Sequence, residues 1–313
     1  MVGKPATAAF SLYPTTAALA TCAAFGSTIL WGVSTPVAKL ALVDWPPLFQ
    51  AWIRFAIALA ILIPWLLMKR QRIALGRGPA LLGLLGVGLF YALHNIGLQR
   101  TSAINSSLIL DGGTPILTVL LAALVLKERP QRPAVLGLIA SFAGVAAVIV
   151  GANRAFGSVG NGELIMLASA VLWAAYSIIG RRIFAAGGVL PVVAGSTLYG
   201  AIFLAPAAGY EGLQRGMPSL SVGGISLLLF LGVGCSALAY ILVGFALTHL
   251  PAWQVAALST VMPLVSLVAT GVIWREPVDT SQVAGGLLIL SGLVLCTPRR
   301  STQTTTTTAR AAT

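Results

Sequence analysis

The chain has 313 residues, 58% of them hydrophobic and only 8% charged, and its mean hydropathy is +0.94. A soluble chain carries about a quarter charged residues, so this composition excludes a soluble domain and fits a polytopic membrane protein. The net charge of +12 would point to nucleic acid in a soluble protein; here most Lys and Arg lie between apolar runs, where they set orientation.

A membrane helix needs about 20 apolar residues. Runs of that kind fall at roughly 18–41, 46–67, 79–98, 104–126, 133–151, 162–180, 190–208, 221–247, 252–274 and 281–297. The reading is an all-α protein of ten transmembrane helices, with a cytoplasmic tail over 1–17 and a polar, low-complexity, disordered tail over 298–313. The apolar start carries no small-residue cleavage signature and reads as an uncleaved first span. Cys22, Cys235 and Cys296 fall inside apolar runs without metal-site or CxxC spacing, and read as buried free thiols.

In the first span Ser27, Trp31 and Ser34 follow i, i+4, i+7 spacing and share one stripe. The second span carries Arg54, about 12 Å deep at the helical rise. The third carries Tyr91, His94 and Asn95 on one face. The fourth carries Asp111, about 10 Å deep from the same side. Equal depth allows an Asp111–Arg54 ion pair, because intramembrane charges pair where they can. Asp111 alternatively faces a cavity as a cation or proton site. His94 reads as an interfacial histidine bonded to backbone, with proton coupling as the other reading. Pro115 is placed as a mid-helix hinge. In the sixth span Trp173 and Tyr176 repeat the first stripe; on the eighth Tyr240 continues the stripe of Tyr91, His94 and Asn95, and Ser259 and Pro263 on the ninth match Asp111 and Pro115. Trp45, Trp65, Trp253 and Trp274, at span ends, read as lipid-interface anchors, whereas Trp31 and Trp173 are mid-span. Glu128 and Glu276 each end a span and read as helix-terminal carboxylates.

Those matches are part of a duplication. Trp31 pairs with Trp173 at a shift of 142; Pro115 with Pro263, Glu128 with Glu276, Gly137 with Gly285 and Gly144 with Gly292 at a shift of 148. Five spans is an odd number, so the second copy (162–297) is expected to enter the membrane inverted relative to the first (18–151). With 13 basic residues on the N-terminal side, 5 on the other and Arg54 within a span, both termini are expected in the cytoplasm.

Together, Trp31-Gly32, Arg54, Pro115, Glu128, Gly137 and Gly144, with Trp173, Pro263, Glu276, Gln282, Gly285 and Gly292 in the second copy, resemble the EamA domains of the drug/metabolite transporter superfamily. The second copy departs at Ala174 and at Ser196/Thr197. The resemblance implies a carrier of the inner (plasma) membrane that exports small organic solutes. Inverted repeats around a midplane site are the architecture of alternating access. No HExxH, Walker or paired-carboxylate motif is present, so the expectation is no enzyme, no cofactor and no metal. The expected partners are an amino-acid-like or amphipathic solute, protons and membrane lipid, with the protein a monomer or homodimer. An uncoupled facilitator, an intramembrane enzyme on lipid-linked groups and an assembly subunit are the competing classes.

Overall fold

The computed structural model describes residues 14–126, 132–156, 160–216, 221–250, 255, 258–259, 261–275 and 278–296. Glu128, Glu276, Trp253 and most of both tails lie outside them. No strand occurs among the described residues. The helices are α1 (Pro14–Ala41), α2 (Pro47–Met68), α3 (Arg77–Gln99), α4 (103–126), α5 (Arg132–Phe156), α6 (Asn161–Gly187), α7 (Val189–Arg215), α8 (Val222–His249), α9 (Met262–Trp274) and α10 (Thr280–Cys296). Among the described residues, six stretches are long and apolar enough to cross a bilayer: Thr16–Ala41, Pro47–Met68, Arg77–Gln99, Asn161–Gly180, Val189–Arg215 and Val222–His249.

Contacts between the halves follow a rule. Helix α1 packs on α8 and α9, and α6 packs on α3 and α4; α2 meets α8 as α3 meets α7; α2 meets α7, and α5 meets α10. Moving every label by five turns this set into itself, the signature of a two-fold exchange of similar halves. At the α5–α10 contact the reason is visible in single residues. A Cβ on Gly144 would come within 2.5 Å of the Gly285 carbonyl oxygen, and Gly292 meets Gly137 in the same way. Since Gly137 matches Gly285 and Gly144 matches Gly292, one contact is the symmetry mate of the other. Backbones this close admit no side chain between them.

Among the described residues three helices contain wide, π-helical stretches: Leu84–Leu89 in α3, Leu108–Gly112 in α4 and Phe230–Leu238 in α8. Two of them carry the same Gly-Val-Gly, at 86–88 and 232–234. A π turn shifts hydrogen bonding from i+4 to i+5 and leaves carbonyls for other donors. Those carbonyls are used: Tyr240 donates to Gly86 O at 3.2 Å, Arg54 to Leu231 O at 3.4 Å and Trp31 Nε1 to Cys235 O at 3.0 Å.

Several expectations need correction. Pro263 does not kink a helix: α9 begins at Met262 with Pro263 in its first turn, where the missing N–H costs nothing. Pro115, by contrast, does lie inside a helix, in the stretch Gly113–Leu126 just after the π segment, and has no N–H to give the Asp111 carbonyl. Trp45 is not an interface anchor; it is buried and stacks on Phe49 at 6.0 Å. Cys22 is exposed rather than buried.

Candidate functional site

The two halves meet at an aromatic cluster. Trp31 from α1 and Trp173 from α6 touch edge-to-face with centroids 5.5 Å apart; Tyr240 lies 5.5 Å from Trp31, and Tyr176 stacks on Trp173 at 4.8 Å. Phe90 packs against Trp173 at 4.9 Å and Tyr91 at 4.7 Å. Edge-to-face rings set the positive edge of one against the negative face of the next, so the cluster is self-complementary and stiff. Both tryptophans therefore point inward, away from lipid.

Beside this cluster lies a narrow cavity lined by Trp31, Ser34, Thr35, Phe90, Tyr91, His94, Leu110, Asp111, Thr114, Trp173 and Met262. It holds about 50 Å³, room for a few waters but too little for an organic molecule. Of the residues singled out from sequence, it gathers Trp31, Ser34, Tyr91, His94, Asp111 and Trp173. Tyr176 and Tyr240 stand behind the tryptophans, and the Tyr240 hydroxyl is spent on Gly86. Ser27 and Ser259 do not reach the cavity. Their hydroxyls bond back to Ala24 O and Val255 O in their own helices, at 2.8 and 3.0 Å.

Asp111 sits in the π stretch of α4 and is 3% exposed. Its Oδ2 has no hydrogen-bond partner among the described residues. The Ser266 hydroxyl of α9 is in hydrogen-bonding reach of the carboxyl and donates to Ser107 Oγ at 2.6 Å. The expected ion pair with Arg54 does not form. Arg54, 1% exposed, donates through Nε to Ser236 Oγ at 2.8 Å, and its guanidinium lies over the Tyr91 ring at 4.4 Å. Among the described residues no carboxylate comes within ion-pairing distance of it. The cation is held by an aromatic face and carbonyl dipoles instead, one layer behind the cavity wall.

His94 also departs from expectation. Its Nδ1 pairs with Asn95 Oδ1 at 3.0 Å rather than with backbone. Asn95 is fully buried behind it and bonds to α2, so it does not line the cavity.

Sequence reasoning passed over Glu163, in the first turn of α6 and 4% exposed. It accepts from Thr101 Oγ1 and from Asn105 Nδ2, while Gln282 of α10 donates to Asn105 Oδ1 at 2.8 Å. Lys39 at the end of α1 donates to Thr101 O, and Trp274 at the end of α9 donates to Pro36 O at 3.1 Å. Ends of five helices are thus tied into one polar knot. The available signal was Glu163 itself, one of only seven acidic residues.

Comparison with known proteins agrees with this architecture. The EamA-like transporter family matches residues 18–150 and again 160–297. An uncharacterized transporter of Archaeoglobus fulgidus is 28% identical over 87% of this chain and 95% of its own length. The uncharacterized transporter YvbV of Bacillus subtilis is 31% identical, covering 88% of this chain and 90% of the relative. A Salmonella typhimurium protein named "Probable amino-acid metabolite efflux pump" is 27% identical over 85% and 91%. A solved crystal structure shares the fold with a TM-score of 0.64 at 22% identity, over 89% of this chain and 96% of that one. With two family matches spanning nearly its whole length and an inward-facing aromatic cavity where the copies meet, the chain is a multi-pass membrane transporter rather than an enzyme and belongs to the EamA-like transporter family.

Proposed function

We propose that the protein exports a small, amino-acid-like organic solute across the inner (plasma) membrane by alternating access, in exchange for protons. The reading takes the chain as ten spans in two inverted halves with both termini in the cytoplasm. The half-exchanging packing and the 13-to-5 split of basic residues support it.

The observation that carries it is the shared cavity. Trp31 and Trp173, one from each half, offer aromatic faces to an apolar side chain, and Asp111 offers a carboxyl oxygen without a partner among the described residues. An ammonium group and a proton are alternative occupants of a single carboxylate, and mutual exclusion at one site is the simplest basis of antiport. Arg54 behind Tyr91 adds positive potential at the other wall, suited to a solute carboxylate. Because the cavity holds only about 50 Å³, the walls must part to admit a solute, and the Glu163 knot is the contact that must open on one side.

Purified protein in liposomes with an imposed pH gradient tests this. Wild type should accumulate a radiolabelled amino acid against its gradient. Asp111→Asn should keep downhill exchange but lose gradient-driven accumulation. Accumulation indifferent to the gradient would make the protein an uncoupled facilitator. Loss of all binding on Trp31→Ala with Trp173→Ala is expected, and unchanged transport in that double variant would overturn the site.

A further inference from the structure

The face that His94 turns to the cavity is decided by residues behind it. Gln50, fully buried in α2, donates through Nε2 to the Ala38 carbonyl at 2.8 Å. A backbone carbonyl only accepts, so this bond fixes which end of the Gln50 amide is nitrogen. Gln50 Oε1 then accepts from Asn95 Nδ2 at 2.6 Å, and the same nitrogen donates to the Pro47 carbonyl at 2.9 Å. Both hydrogens of the Asn95 amide are spent, and its Oδ1 is the atom left facing His94 Nδ1 at 3.0 Å. An amide oxygen cannot donate, so the hydrogen of that bond belongs to His94 Nδ1. In the neutral ring Nε2 is therefore a bare lone pair. It makes no hydrogen bond among the described residues, and His94 lines the cavity.

We propose that Gln50 and Asn95 are positioning residues that lock His94 as the Nδ1–H tautomer, so that Nε2 is a hydrogen-bond acceptor selecting solutes that carry an N–H donor. The preferred class is a primary ammonium, whose three N–H groups can serve both Nε2 and the Asp111 carboxyl lining the same cavity. A solute lacking an N–H would bury the lone pair unmatched, a loss of about tenfold in affinity. The selectivity rests on the cavity being the solute site; the tautomer does not.

The chain has two histidines, so ¹⁵N-histidine labelling of a His249→Gln background reports on His94 alone. The expected spectrum has a protonated Nδ1 and an unprotonated Nε2. The reverse assignment would overturn the proposal. Asn95→Leu and Gln50→Leu should each mix the tautomers, while Asn95→Asp, which keeps an acceptor facing Nδ1, should retain Nδ1–H; size-exclusion profiles confirm folding, and either leucine variant suffices. In a displacement assay, N,N,N-trimethylphenylalanine should bind about tenfold more weakly than phenylalanine to wild type, beyond the part due to bulk. The bulk part persists in the leucine variants, so their ratio should fall by that factor; an unchanged ratio would overturn the selectivity. Binding of neither compound to wild type would overturn the solute-site reading and the selectivity with it, and the tautomer, read without solute, tells that failure from failure of the lock.

Discussion

The N-terminus of α2 is capped by another helix, and removing that cap has a predictable cost. Pro46 offers no side-chain oxygen at the cap position, and Pro47 has no N–H. The next two amides, Leu48 and Phe49, donate to Glu211 Oε2 of α7 at 2.7 and 3.0 Å, and Gln50 N donates to Pro46 O at 2.8 Å. Two hydrogen bonds to a charged acceptor contribute about 1.5 kcal/mol each, and they also oppose the helix dipole. The Glu211 side chain is 11% exposed, so water can replace part of this, and Glu211→Ala should destabilise by about 2 kcal/mol. Glu211→Gln keeps an acceptor oxygen and loses the charge, and should cost about half as much. Reversible unfolding of detergent-purified protein, followed by tryptophan fluorescence, measures both, and amide exchange at Leu48 and Phe49 should rise in the alanine variant. An alanine variant as stable as wild type, with those amides still protected, would refute the argument.

At the α5–α10 crossing, Gly144→Ala drives a methyl onto the Gly285 carbonyl and should cost about 1–3 kcal/mol in the same assay; an equal melting curve would show that the helices part freely. The Asp279 carboxyl accepts from Thr280 N and Ser281 Oγ at 2.6 and 2.8 Å, and Asp279 N donates to Gln282 Oε1 at 2.9 Å, the Gln-to-backbone half of a capping box at the start of α10. The bonds from Ser281 and Thr280 hold that carboxyl below the ordinary carboxylate range. A depressed folded-state value means the stabilisation is present above the unfolded value and is lost as pH falls through the folded one. Acid unfolding should therefore steepen below the usual aspartate range in wild type and be shallower in Asp279→Asn. Glu163→Ala should loosen the polar knot and raise alkylation by a hydrophilic thiol reagent of a cysteine placed at Ser34, in a variant lacking the native cysteines; unchanged labelling would count against the knot as a closure.

What the sequence made legible was depth and duplication. Apolar run lengths give the spans, and the Trp31–Trp173 match already marked the residues that meet at the centre. Azimuth was not legible. Arg54 and Asp111 sit at similar depth, yet depth cannot say which way a side chain turns around its helix, so the inferred ion pair was replaced by Tyr91 and Ser236. The same gap hid the Gln50–Asn95 relay, because Gln50 is near Asn95 only once α2 and α3 are packed. Pro263 failed for another reason: proline ends or starts a helix as readily as it bends one, and only the observed first turn of α9 decides.

The π stretches carry a consequence for motion. Absorbing a wide turn back into regular helix rotates everything beyond it by about 100° per residue gained and advances it about 1.5 Å. In α8 that rotation would withdraw the carbonyls of Leu231 and Cys235 from Arg54 and Trp31, and in α3 it would withdraw Gly86 from Tyr240. Each half thus holds the other's ring by a peptide oxygen that its own winding controls, and a screw-like turn of either helix would unlatch the rings without any side chain first changing its rotamer.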